Sequence, residues 1–196
     1  MKVRTRIFAL AFVLALLGIN RPDAGAVWLH LTDEQRQEAV RFGERSSWKQ
    51  LLLQGEWVRE SGGNKAVMQT PFLILAAMAK RASQQYRKLS KEEMDALLKE
   101  LEGKLTFFIT VTGYSPDFAK DYHAVIKADG KTIQPILKQN PSLASPVMGY
   151  DSVYYTANCI YVFPAEGIDP NGQLTLIMIS PLGREWKFHY DLSKIK

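Results

Sequence analysis

The hydrophobic period of this chain changes at Gly103, and that change bounds the fold. Before it, Met94, Leu97, Leu98 and Leu101 recur at i, i+3, i+4 and i+7, one face of a helix. After it, Leu105, Phe107, Ile109 and Val111 alternate with Thr106, Thr110 and Thr112, the period of a half-buried strand. Helical sequence set among strand-forming sequence implies an α+β fold with helices inserted between strands.

Cap signals place the helices. Thr32-Asp33-Glu34-Gln35 is a capping box, so a short N-terminal helix starts at Asp33. It carries Ala39 and Val40 inward and is expected to end near Gly43. Thr70-Pro71 opens the next helix, with threonine as cap and proline at the first helical position. From Phe72 to Ala79 that helix is apolar on all sides, which implies burial on most faces. Ser90-Lys91-Glu92-Glu93 caps the third helix and Gly103 ends it. Residues 71–102 are thus expected to form an antiparallel helical hairpin.

Turn chemistry places the strands. Glu56 to Arg59 and Lys65 to Gln69 flank Ser61-Gly62-Gly63-Asn64, a strong turn signal. Tyr122 to Ala128 and Lys131 to Leu137 flank Asp129-Gly130, a two-residue hairpin signal. Val153 to Phe163, Gln173 to Ile179 and a last strand with Trp186, Phe188 and Tyr190 on one face complete the set. Leu51-Leu52-Leu53 fits either a buried strand or a helical turn. Residues 139–150, with Pro141 and Pro146, are expected to be a loop with a mobile tip. The sum is about seven or eight strands, mostly hairpin-linked, with residues 104–192 strand-rich. The predicted fold is an antiparallel β-sandwich with an inserted helical hairpin.

The first 26 residues set the expected compartment. Lys2, Arg4 and Arg6 precede an uncharged apolar run from Ile7 to Ile19, and Ala24-Gly25-Ala26 offers small residues for cleavage. This pattern implies a secretory signal peptide removed after Ala26, leaving 27–196 as one globular domain, periplasmic or extracellular. The apolar run stops at Asn20, Arg21 and Pro22, short of the roughly 20 residues that a spanning helix needs. A lipoprotein signal needs a cysteine at the cut, and the sole cysteine is Cys159. The next most apolar stretch, Thr70 to Ala79, is too short to span, so no transmembrane segment is expected in the mature chain.

Residues 1–26 hold Lys2, Arg4, Arg6 and Arg21 against Asp23, so the net charge of +5 falls to +2 without them. The basic balance therefore gives no argument for a nucleic-acid partner, which needs a concentrated basic face. One cysteine makes no intramolecular disulfide, so packing alone must hold the domain.

Motifs that carry chemistry are sparse. Cys159 lies mid-strand, with Tyr155, Ala157, Tyr161 and Phe163 on the same alternating face, and reads as a small buried hydrophobe. His30, His123 and His189 are far apart in sequence, and His189 alternates away from the aromatic face of the last strand. HExxH, CxxC, GxSxG, SxxK, GxGxxG and GxxxxGK[ST] are all absent. Asp117, Asp121 and His123 form the one acid–histidine grouping, suited to a metal or to acid–base work. Asp169, Asn171 and Gly172 read as a turn, with too few oxygens for calcium. Tyr154, Tyr155, Tyr161, Trp186 and Tyr190 read as sandwich core apart from Tyr154, on the opposite face.

Lys80, Arg81, Arg87, Lys88 and Lys91 are the concentrated charge feature, at the tip of the expected hairpin. Arg81, Arg87 and Lys88 are the candidate binding residues. No cofactor and no metal is expected. The sequence reading is an exported, non-enzymatic binding or assembly module of the bacterial cell envelope. Its partner would be an envelope protein or an anionic surface. The alternatives are an enzyme using Asp117, Asp121 and His123, and a soluble carrier of an apolar ligand between helices and sheet.

Overall fold

A computed structural model describes Val27, residues 29–148 and residues 153–196. The expected signal peptide, and residues 149–150 of the expected loop, lie outside the described residues. The protein is α+β, and among the described residues it has ten antiparallel strands in two sheets and four α-helices.

The helices are α1 (Asp33–Arg45), α2 (Trp48–Leu53), α3 (Pro71–Gln84) and α4 (Lys91–Leu101). The strands are β1 (Val58–Ser61), β2 (Asn64–Gln69), β3 (Lys104–Gly113), β4 (His123–Ala128) and β5 (Lys131–Ile133). They continue with β6 (Leu137–Gln139), β7 (Ser145–Met148), β8 (Val153–Pro164), β9 (Gln173–Ile179) and β10 (Glu185–Asp191). One sheet runs β1-β2-β3-β8-β6, with β7 also paired to β8; the other runs β10-β9-β4-β5.

The alternating strands behave as their sequence dictates. Leu105, Phe107, Ile109 and Val111 of β3, and Ala157, Cys159, Tyr161 and Phe163 of β8, are buried. Trp186, Phe188 and Tyr190 of β10 meet them from the other sheet in one core. At one margin the sheets touch: Arg59 Nε donates to His189 O at 2.7 Å, and the buried Tyr190 hydroxyl donates to Ala66 O at 3.0 Å. The hairpin at Asp129-Gly130 forms with positive φ at both residues, as a type I′ turn requires.

Three expectations change in detail. Residues 131–137 are not one strand. β5 stops at Ile133, Pro135 follows, and Ile136 N already donates to Val162 O of the other sheet at 2.7 Å. Proline breaks the ladder and lets the chain cross between sheets. Within 139–148, β6 ends at Gln139 and β7 pairs with β8 as an edge strand that tolerates Pro146. Leu51-Leu52-Leu53 resolves as helix, because Ser47 and Gln50 form a capping box that starts α2.

Gly43 does not end α1, which runs on to Arg45. A Cβ on Gly43 would lie 1.9 Å from the Ala76 carbonyl oxygen, so glycine serves close backbone approach of α1 to α3. α1 is the main packing partner of α3, ahead of α4. Gly43 against Ala76 and Trp48 against Gln84 make α1 run alongside α3 in the same sense. Arg36 Nη1 reaches Asp95 Oδ1 at 2.8 Å, and α4 returns antiparallel to both. α3 is buried on two faces: Leu73 and Ala76 join the sheet core, while Phe72 and Leu75 join a second core with Leu31, Ala39 and the half-buried Met94, Leu97 and Leu98. Each such leucine or phenylalanine stabilises by about 1.5–3 kcal/mol on burial.

Candidate functional site

The chemistry-bearing residues come first. Cys159 is buried, and burial pushes its thiol up to about 12, so it is protonated at neutral pH and is no nucleophile there. Asp117, Asp121 and His123 are all exposed at the start of β4 and the loop before it. Among the described residues no three His, Cys, Asp or Glu side chains gather as a metal site. His189 is exposed and its Nδ1 lies 3.0 Å from the Thr175 hydroxyl. Gly62 and Gly63 both have positive φ in the β1–β2 turn, and Asn171 N donates to Asp169 Oδ1 at 2.9 Å, so both segments are turns.

Three connections converge at one end of the sandwich, together with the paired ends of β7 and β8: the β1–β2 turn, the β3–β4 loop and the β9–β10 turn. Register places them together, since Gly113 pairs with Tyr155, Met148 with Val153, and His123 and Glu185 both with Ile179. Beneath these connections lies a row of rings. Phe118 meets Tyr122 edge-on at 5.8 Å, Tyr122 stacks on Trp186 at 5.6 Å, and the Arg184 guanidinium lies over Trp186 at 5.1 Å. Gly113 makes room for Phe118, because a Cβ there would lie 2.3 Å from the ring.

Asn140 holds the loop before β4 in place. Its Nδ2 donates to Ala119 O at 2.9 Å, Lys120 O at 3.3 Å and Tyr122 O at 2.7 Å. Ala144 N donates to Pro116 O at 2.6 Å, tying in the segment before β7. On this fixed base, large apolar side chains stand in water: Tyr114 is 89% exposed, Leu143 69%, Met148 82% and Leu182 97%. Among the described residues, exposed charges of both signs flank them: Lys120 and Arg184, Asp117 and Asp121.

The basic cluster lies at the opposite helical corner. Arg81, Arg87 and Lys88 are all exposed, but they are not equivalent. Arg87 Nη1 reaches both carboxylate oxygens of Glu93, at 2.9 and 3.0 Å, so its charge is spent within the fold. Lys91 pairs with Asp95 at 2.7 Å, and that hydrogen bond holds the Asp95 carboxyl below the usual range. Arg81 and Lys88 have no ion pair among the described residues, nor do Lys80, Arg45 and Lys49. The corner gathers them because α1 and α3 end side by side, with the Trp48 indole N–H donating to Gln84 Oε1 at 3.1 Å.

Two grooves flank α1. A groove of about 490 Å³ has Val40, Leu89 and Met94 on its floor and Glu44 and Lys88 on its rim. A smaller one of about 310 Å³ runs beside Arg36, Asp95 and Leu98. Neither lies between helices and sheet, where an apolar carrier would hold its cargo. Among the described residues no helix is long and apolar enough to cross a membrane.

Comparison with protein-family models, with curated proteins and with solved structures finds no match to this chain. The fold thus defines an α+β two-sheet protein, and its function has to be read from its own surfaces. The exposed loop-end residues Tyr114, Leu143, Met148 and Leu182 carried no sequence signal of their own. Each is a single apolar residue in a turn-rich stretch, and only strand register brings them to one end.

Proposed function

We propose that the protein is a non-catalytic binding module of the bacterial cell envelope, exported by residues 1–26 and working through the loop end of its sandwich on another envelope protein. One observation carries this reading. Four large apolar side chains from separate segments are held in water at one end, on a base braced by aromatic packing and by Asn140. Exposed apolar side chains gathered on one patch mark interaction sites, and rigid loops on a scaffold lose little entropy on binding. Charge of both signs around the patch favours a protein contact over an anionic surface, which Asp117 and Asp121 would oppose.

The test is site-specific photo-crosslinking in the exporting cell. A photoreactive residue in place of Leu182 or Tyr114 is expected to yield one discrete protein adduct. The same probe at Thr132, on an edge strand of the other end, should yield none. Tyr114→Lys should abolish the Leu182 adduct while leaving the melting temperature unchanged within about 2 °C, as surface changes do. No adduct from the loop end, or equal adducts from both ends, overturns the proposal. Export is tested apart from it: the released chain should have the intact mass of residues 27–196.

A further inference from the structure

We infer that the helical corner around Tyr86 is a second docking surface, one that seats on the anionic phospholipid headgroups of a membrane. This goes beyond the protein-binding role of the loop end and stands without it.

The starting point is the backbone at Tyr86. α3 ends in a Schellman turn: Arg87 N donates to Ala82 O at 3.1 Å and Tyr86 N to Ser83 O at 3.0 Å. The residue at the turn must be left-handed, and Tyr86 has φ +56°. Glycine takes this conformation freely, whereas a side chain with a Cβ is strained in it. Here the position carries a tyrosine, and that tyrosine is 101% exposed, so it gains nothing from packing. Strain at an exposed bulky residue points to a use outside the fold.

Its neighbours supply the chemistry. Arg81, Lys88, Lys80, Lys49 and Arg45 make no ion pair among the described residues. The acids nearby are Glu44 and Asp33, which line the same groove as Lys88, and Glu93, which Arg87 already holds. α2, which starts at this corner with Trp48, exposes Leu52 and Leu53. Uncompensated cations around a protruding tyrosine and exposed leucines match the layering of a bilayer surface. Phosphates meet the cations, and the amphipathic ring enters at headgroup depth. Juxtamembrane cations act over about a Debye length, so the contact should depend on salt.

The unreactive Cys159 makes a clean experiment possible. In a Tyr86→Cys variant of the full chain, an environment-sensitive thiol dye goes to residue 86 and spares the buried thiol. Added vesicles containing phosphatidylglycerol should raise the dye's emission several-fold with a blue shift. Molar salt, or the R81E/K88E double change, should weaken that response at least tenfold. The dye at a Leu182→Cys position reports the loop end and should stay in water. A local probe is needed because the apolar residues 1–26 could by themselves bring the full chain to vesicles. No response at residue 86, an equal response on pure phosphatidylcholine, or a response indifferent to R81E/K88E overturns the proposal. A second variant covers failure of the labelled one. Tyr86→Gly should raise thermal stability and weaken salt-dependent vesicle binding together, a pairing that a purely structural tyrosine would not give. If Tyr86→Gly stabilises without weakening binding, the proposal is likewise overturned.

Discussion

The two ends of this molecule expose apolar side chains in different ways. At the loop end, Tyr114, Leu143, Met148 and Leu182 stand among charges of both signs on a base fixed by Asn140 and stacked rings. At the helical corner, Tyr86 stands beside cations that have no ion pair among the described residues, and α2, which starts there, exposes Leu52 and Leu53. Exposure alone would make the two alike. Charge separates them: one end is suited to a protein surface, the other to a phosphate-bearing one.

Their construction also differs, and three changes would expose the difference. The largest effect is expected from Gly43→Ala. The new Cβ meets the Ala76 carbonyl at 1.9 Å, which is backbone and cannot rotate away. Pushing α1 off α3 should cost about 3 kcal/mol or more in denaturant unfolding. Hydrogen exchange should speed up in α1 and α3 while the amides of β4, β9 and β10 keep their protection. Equal loss at both ends would mean that the ends are one cooperative unit. Asn140→Ala comes next. It withdraws the donor from three carbonyls, of which that of Tyr122 keeps the Tyr161 hydroxyl at 3.1 Å. A loss of about 1–3 kcal/mol is expected, with faster exchange confined to residues 114–122.

The smallest effect at neutral pH comes from the core between the ends. The Cys159 thiol moves from an ordinary 9.0 to about 12, and burial also raises the Tyr161 and Tyr190 hydroxyls. A raised folded pKa of an acid means that the folded state holds its proton more tightly. The stabilisation is therefore complete below the unfolded value near 9 and is lost as pH rises from about 9 to about 12. Thermal melts should be flat in this respect from pH 7 to 9 and fall steeply above it. A Cys159 thiol that reacts with iodoacetamide at pH 8 in the folded protein would contradict this packing.

Much of the fold was legible because local signals and global structure agree. The boxes at Thr32 and Ser90, the Thr70-Pro71 start and the Asp129-Gly130 turn each fix a boundary by a hydrogen bond or a φ angle available within four residues. Gly43 misled because an end-of-helix glycine and a helix-crossing glycine look alike until the partner helix is known. β6 and β7 were hidden by Pro135, Pro141 and Pro146, which suit edge strands as well as loops. Of the three candidate cations, Arg81 and Lys88 have no ion pair among the described residues, while Glu93 takes Arg87. That pairing follows from a capping box in which Glu93 already faces Ser90 N, so a helix-start signal also consumed a candidate binding residue. Tyr86 escaped notice because a left-handed turn there is expected of glycine, and the sequence offers none.

The long strand β8 has a consequence for how the chain comes to be folded. Leu105 of β3 pairs with Phe163 of β8, and the four strands β4 to β7 are encoded between them. During synthesis β3 therefore waits with one edge open, and its stretch from Leu105 to Tyr114 carries no charge. Such a strand pairs readily with copies of itself, and non-local pairing is slow to relieve it. The vulnerable interval for this protein is the one before Val153–Pro164 arrives, so its yield in a cell should follow the supply of chaperones that shield nascent chains.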